Sequence, residues 1–177
     1  HHVTSFRRTK PNAKGYTPYL YWNPESPSCT SLVLDTLKKE FGFKPPTPLK
    51  ELAKWLDVTD AAGFTSAKQT IEFKEPALAL DKFVDWEVKK GEPLAWLVEM
   101  MSRHPLKKVA AERRVRRVLV TIRRERDKAL RFYQEHMNVI GNVAFVDISH
   151  AHLIDLRFAP YYLKPRLLYS VILKKLK

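Results

Sequence analysis

The chain carries one cysteine, Cys29, which excludes an intramolecular disulfide and any cysteine-rich zinc site. It has no run approaching the ~20 apolar residues of a membrane span. Its N-terminus lacks the apolar core of a signal peptide. These absences together point to a reducing, intracellular, cytoplasmic setting and to no membrane partner. Glycine is scarce at five residues, and no glycine-rich phosphate loop occurs. Cys-x-x-Cys and His-Glu-x-x-His are missing too, which removes the common nucleotide-fold, redox and zinc-protease readings. Acidic residues are outnumbered, 19 against 32 lysines and arginines, for a formal net charge of +13. That balance favours a phosphate-containing polyanion as partner, single-stranded nucleic acid or a nucleotide.

What is present is enough for a core. Of the 177 residues, 45% are apolar, with nine Phe and four Trp, so the chain is globular and long enough for one domain or two small ones. Residues 1 to 22 are basic and then aromatic, with Pro11, Gly15 and Pro18 arguing for a loop. Ser28 is placed to cap a helix running to Lys39 or Glu40, which Gly42 ends. That helix start would also suit a phosphate, although ordinary capping is the simpler account. Cys29 has no catalytic signature around it.

A second helix is expected over Pro48 to Trp55, with Leu49, Leu52, Ala53 and Leu56 at helical spacing. It delivers Asp57 and Asp60 to a turn before Gly63. Two carboxylates three residues apart at a helix end can converge on a divalent cation; they can equally cap and solvate the turn. Further helices are expected at Thr65 to Phe73, Pro76 to Val88 and Pro93 to Arg103. Leu106 to Met137, without Gly or Pro, reads as one long helix. From Lys107 to Arg131 it holds eleven cations against Glu112, Glu125 and Asp127, a local excess of eight. Solvated surface helices usually mix signs more evenly, so Arg113 and Arg117 are candidate contacts to a polyanion.

At Asn138 the periodicity changes. Val139 to Ile148 forms apolar, β-branched runs around Gly141-Asn142, a hairpin signal, and Leu167 to Leu173 reads as another strand. Arg157 and Arg166 flank it together with Lys164 and Tyr161, Tyr162 and Tyr169. Arginine suits phosphate and tyrosine rings stack on bases, though an edge strand with a solvated basic rim explains many of the same residues. The fold class expected is α/β: a mainly helical portion over 1–104, a basic linking helix over 105–137, and a β-containing module over 138–177.

The order of segments carries more than any one of them. The chain opens His1-His2-Val3-Thr4-Ser5-Phe6, passes Pro27-Ser28-Cys29-Thr30-Ser31-Leu32-Val33, reaches the Asp57/Asp60 turn, and later shows Val143-Ala144-Phe145-Val146-Asp147 and Tyr169-Ser170-Val171. This order resembles the DHH family of metal-dependent phosphoesterases. His1-His2 looks like the end of the Asp-His-His signature; a leading histidine pair is also what a purification tag leaves, and Ser5-Phe6 at the family's distance favours the motif.

The resemblance implies hydrolysis of a phosphodiester or phosphoanhydride of the oligonucleotide, cyclic dinucleotide or polyphosphate class, with manganese (Mn) or magnesium (Mg). His1 would be a metal ligand, His2 a contact to the reacting phosphate, and Asp60 a catalytic metal carboxylate. Asp57 would be a further ligand or its neighbour, and His1 and Asp60 would meet within reach of one cation. The basic helix sits where the family's linker to its substrate-binding domain belongs. The family's first two aspartate motifs would lie upstream of His1, and its Gly-Gly-Gly-His segment beyond Lys177. Each cation takes about six ligands, so the chain alone is expected to be inactive. Two competing readings are a non-catalytic basic nucleic-acid-binding module and a structural subunit whose basic surface meets a partner protein.

Overall fold

Ser28 caps the first helix with its own side chain. In the computed structural model, which describes residue 23 and residues 25–175, its hydroxyl accepts the Ser31 amide at 3.0 Å. Helix α1 then runs Cys29–Phe41 and stops where Gly42 turns left-handed at φ 65°, a conformation that costs glycine no steric clash. Helix α2, Thr47–Asp60, has proline in its first turn, where a fixed φ and a missing N–H do no harm.

Asp57 and Asp60 do not follow α2; they lie on its last turn. The helix closes in a Schellman turn, in which the Gly63 amide donates to the Val58 carbonyl at 2.8 Å and the Ala62 amide to that of Thr59 at 3.4 Å. The left-handed position falls on Ala62, at φ 51°, and not on the glycine that the sequence suggests as the stop. These helices belong to one of two compact units, made of the described residues up to Gly63 together with Met101–Pro105.

The second unit comprises Phe64–Met100 and the described residues from Leu106 onward. Its helices are α3 Ala67–Glu72, α4 Pro76–Val88, the larger part of α5 Ala95–Arg103, α6 Leu106–Ala110 and α7 Arg113–His136. They are followed by β1 Asn138–Ile140, β2 Val143–Asp147, α8 Ala159–Leu163 and β3 Tyr169–Leu173. Helix α4 buries Ala77, Leu78, Leu80 and Phe83, and it packs against both α6 and α7.

The long basic helix is therefore two helices, which corrects the single span expected over 105–137. The reason is phase. Leu106, Val109 and Val115 are all fully buried, yet on one continuous helix Val115 would stand about 240° round the axis from Val109. Breaking the helix at Ala111-Glu112, where Glu112 is extended at ψ 142°, resets the phase so that both stretches face inward. From there Val115, Leu119, Ile122, Ala129 and Tyr133 form one buried stripe.

The sheet follows at once. Gly141-Asn142 joins β1 and β2 as an antiparallel pair, with Asn138 opposite Phe145, and Gly141 takes the positive φ of 59° that such a two-residue turn requires. Strand β3 lies parallel to β2, Val143 opposite Tyr169, and the chain between them contains α8. Ala144 and Val146 point inward, and Val146 joins Ala129, Tyr133, Ile71 and Ala159 in one core. The architecture is thus α/β, mostly helical with a three-stranded mixed sheet in the order β1-β2-β3. No helix among the described residues is long and apolar enough to cross a membrane.

Tyr133 sits in that core with a hydroxyl that has no hydrogen-bond partner among the described residues. Burial, then the nearby Asp155 charge, pushes its pKa up to about 12. The fold therefore holds the neutral phenol and resists the phenolate. Tyr133 should add nothing to the pH dependence of stability below about pH 10, the unfolded value, and should withdraw about 2 kcal/mol as pH rises from 10 towards 12. Tyr133→Phe is expected to remove that alkaline component while keeping the packing. Urea melts of both proteins across this range check it; identical profiles would mean that the hydroxyl is already solvated.

Candidate functional site

Helix α7 sorts its cations by side. Taking the buried stripe as reference, Arg113, Arg117, Arg124, Lys128 and Arg131 fall within about 40° of the opposite direction, and all five are exposed. Arg126 falls on the stripe itself. Its side chain is 17% exposed, pairs with the Asp127 carboxylate at 2.7 Å and lies 5.3 Å over the Phe73 ring. That arginine is part of the core.

Arg114 is also committed. Its guanidinium meets Glu87 at 3.4 Å and Glu92 at 3.3 Å, and it lies 5.1 Å over Trp96. Glu87 is 4% exposed, so this pairing compensates a carboxylate that burial would otherwise penalise heavily. Pairing of some α7 arginines with carboxylates on the preceding helices is expected from the sequence, but not the particular partners, although a signal existed: Leu80, Phe83 and Glu87 recur at helical spacing, which puts a glutamate on a buried face. Arg114 fixes the start of α7 against α4. Its neighbours Arg113 and Arg117 have no ion pair with a described residue; with Arg114 and Val118 they line a cavity of about 530 Å³.

Arg157 and Arg166 belong to the other end of the unit. Arg157 lies 5.0 Å over the ring of Phe158, which itself meets Phe64 edge-on at 5.8 Å. Arg166 is exposed in the turn between α8 and β3. Phe158, next to Arg157, packs on the core that holds Ala129 and Tyr133 of α7. The structure brings Arg113 and Arg117 together in the lining of one cavity, which Arg157 and Arg166 do not share. Of the tyrosines, Tyr162 donates to Glu72 at 3.4 Å. Glu72 also receives Lys74 at 2.6 Å, a hydrogen bond that holds its carboxyl below the usual carboxylate value. Tyr169 is 67% exposed and offers a face to stack on.

Asp57 is engaged at both oxygens. The Ser28 hydroxyl donates to Oδ1 at 2.5 Å, and the Ser31 hydroxyl reaches Oδ1 at 2.7 Å and Oδ2 at 2.8 Å. The α1 N-terminus, which the sequence offers to a phosphate, is filled by the chain's own carboxylate, a placement the helix dipole favours. Asp60, one turn further, is exposed. Among the described residues no three His, Cys, Asp or Glu side chains are grouped so as to hold a metal ion. A divalent cation with about six oxygen ligands does not fit this donor set by itself. His1 and His2 lie outside the described residues, and so does their expected approach to Asp60. Cys29 is exposed and free.

No family model matches the chain, and no curated protein sequence does either. Among solved structures it is similar to the pGpG-specific phosphodiesterase PggH from Vibrio cholerae, with a TM-score of 0.70 at 17% sequence identity. The match covers 89% of this chain and 55% of that one. The two share a fold over nearly all of the present chain, which spans about half the length of that protein.

Proposed function

We propose that the chain is part of a phosphodiesterase that hydrolyses a short nucleotide, with manganese or magnesium supplying the hydrolytic chemistry. The observation that carries this reading is the fold shared with the pGpG-specific phosphodiesterase over 89% of the chain. The segment order that resembles the DHH family supports the same reaction class from the sequence side. A cation of that kind would polarise the phosphoryl oxygens and lower the pKa of a bound water. The resemblance assigns His1, Asp60 and, as a ligand or its neighbour, Asp57 to that cation, and His2 to the reacting phosphate.

This chain's described residues contribute phosphate recognition. Arg157 and Arg166, on either side of α8, present guanidinium forks whose geometry matches phosphate oxygens. Exposed Tyr169, three residues after Arg166, supplies a ring for base stacking. Calorimetric titration of the chain with a linear diguanylate tests this part. The double variant Arg157→Gln/Arg166→Gln is expected to weaken binding about a hundredfold, since each charge-assisted hydrogen bond contributes ~1.5–3 kcal/mol. Unchanged affinity would remove these two residues from the site.

A further inference from the structure

We propose that the face of α7 turned away from the core is a track for single-stranded nucleic acid longer than a dinucleotide. The proposal stands on the helix itself and is independent of the hydrolytic reading.

Arg113, Arg117, Arg124, Lys128 and Arg131 are spaced four, seven, four and three residues apart, so they form a single straight row about 27 Å long. No acidic residue interrupts the row: Glu125 and Asp127 fall to its two flanks. Among the described residues the one acid contact on it is Arg124 to Glu125 at 3.8 Å, which at an exposed site is worth little. Like charges at these spacings repel along a helix, and among the described residues Arg113, Arg117, Lys128 and Arg131 form no ion pair. By contrast Arg114 and Arg126 are paired and stacked, and Arg123 lies 5.8 Å over the Phe73 ring. No such contact engages Arg113, Arg117, Lys128 or Arg131 among the described residues.

Its shape chooses the ligand. A dinucleotide carries too few phosphates to neutralise five cations over that length, whereas a longer strand supplies one phosphate after another. A row one residue wide addresses one backbone, which favours a single strand over a duplex. A membrane surface is disfavoured, because a basic amphipathic helix binds lipid through its apolar side. Here that side, Val115 to Tyr133, is already buried in the protein.

The probes are fluorescein-labelled oligothymidylates of two and ten nucleotides, with binding to the whole chain followed by fluorescence anisotropy over a range of salt. The ten-mer should bind more than tenfold tighter. The logarithm of its affinity should fall with that of salt at a slope of about −3.5, from roughly 0.7 per neutralised phosphate on a single strand and five contacts. Changing all five residues to Gln, which keeps helix propensity close to that of Arg and Lys, should bring the ten-mer down to the level of the two-mer. It should also remove most of the slope. If that variant does not fold by circular dichroism, Arg113→Gln/Arg117→Gln alone should reduce the slope by about 1.4. A variant losing the same charge elsewhere, with Lys38, Lys39, Lys44, Lys50 and Lys54 all changed to Gln, should keep it. Equal binding of the two probes, or equal loss of slope in the two five-site variants, overturns the proposal.

Discussion

Asp57→Ala is expected to destabilise the α1–α2 pair by about 3 kcal/mol, and to do so in the presence of a metal chelator. The carboxylate gathers hydroxyls from Ser28 and Ser31, at 2.5 to 2.8 Å, and Ser28 is 7% exposed. A hydrogen bond to a charged group contributes ~1.5–3 kcal/mol, and a carboxylate at a helix N-terminus adds ~0.3–1 kcal/mol. Alanine removes the acceptor and leaves a buried hydroxyl to find another. Asp57→Asn, which keeps one oxygen, should lose about half as much. Amide exchange in α1, compared between wild type and both variants in chelator, reads the effect. Unchanged α1 protection in chelator, with weakened manganese binding, would instead make Asp57 a ligand and not a tie between helices.

One turn away, Asp60→Ala should have the opposite signature. Asp60 is exposed on the last turn of α2, where the helix dipole disfavours a carboxylate by a few tenths to ~1 kcal/mol. Its removal should leave thermal stability unchanged or slightly raised. Under the phosphodiesterase reading the same change should lower turnover by the full-length protein more than about a hundredfold, since even residues that only orient a metal ligand cost ~10–100-fold. A carboxylate held where the fold gains nothing from it is what a functional residue looks like. Undiminished turnover would remove Asp60 from the reaction, and a stability loss equal to that of Asp57→Ala would make it structural.

These two aspartates also mark where the sequence stopped being legible. Capping and breaking signals located α1 and α4 closely: Ser28 and Gly42 bracket Cys29–Phe41, and proline opens Pro76–Val88. The hairpin at Gly141-Asn142 was equally plain. For α2, Asp57, Val58, Thr59 and Asp60 are weak helix formers, so local propensity ends the helix before them. Hydrogen bonding of Asp57 across to α1 is a tertiary contact that local propensity does not contain. The break at Ala111-Glu112 was legible, because Leu106 and Val109 are out of phase with Val115, Leu119 and Ile122; the absence of Gly and Pro concealed it. The fates of the arginines were not legible. Arg113, Arg114 and Arg117 look alike in sequence, and only the packing of α4 against α7 turns Arg114 towards Glu87.

The central claim, that the chain belongs to a nucleotide phosphodiesterase, is tested most directly by turnover. The protein in its full natural length, purified and saturated with manganese, is incubated with linear diguanylate and the products are separated by chromatography. Release of guanosine monophosphate that stops when a chelator is added is the result expected. Intact diguanylate after manganese saturation, from protein shown by calorimetry to bind it, would contradict the claim.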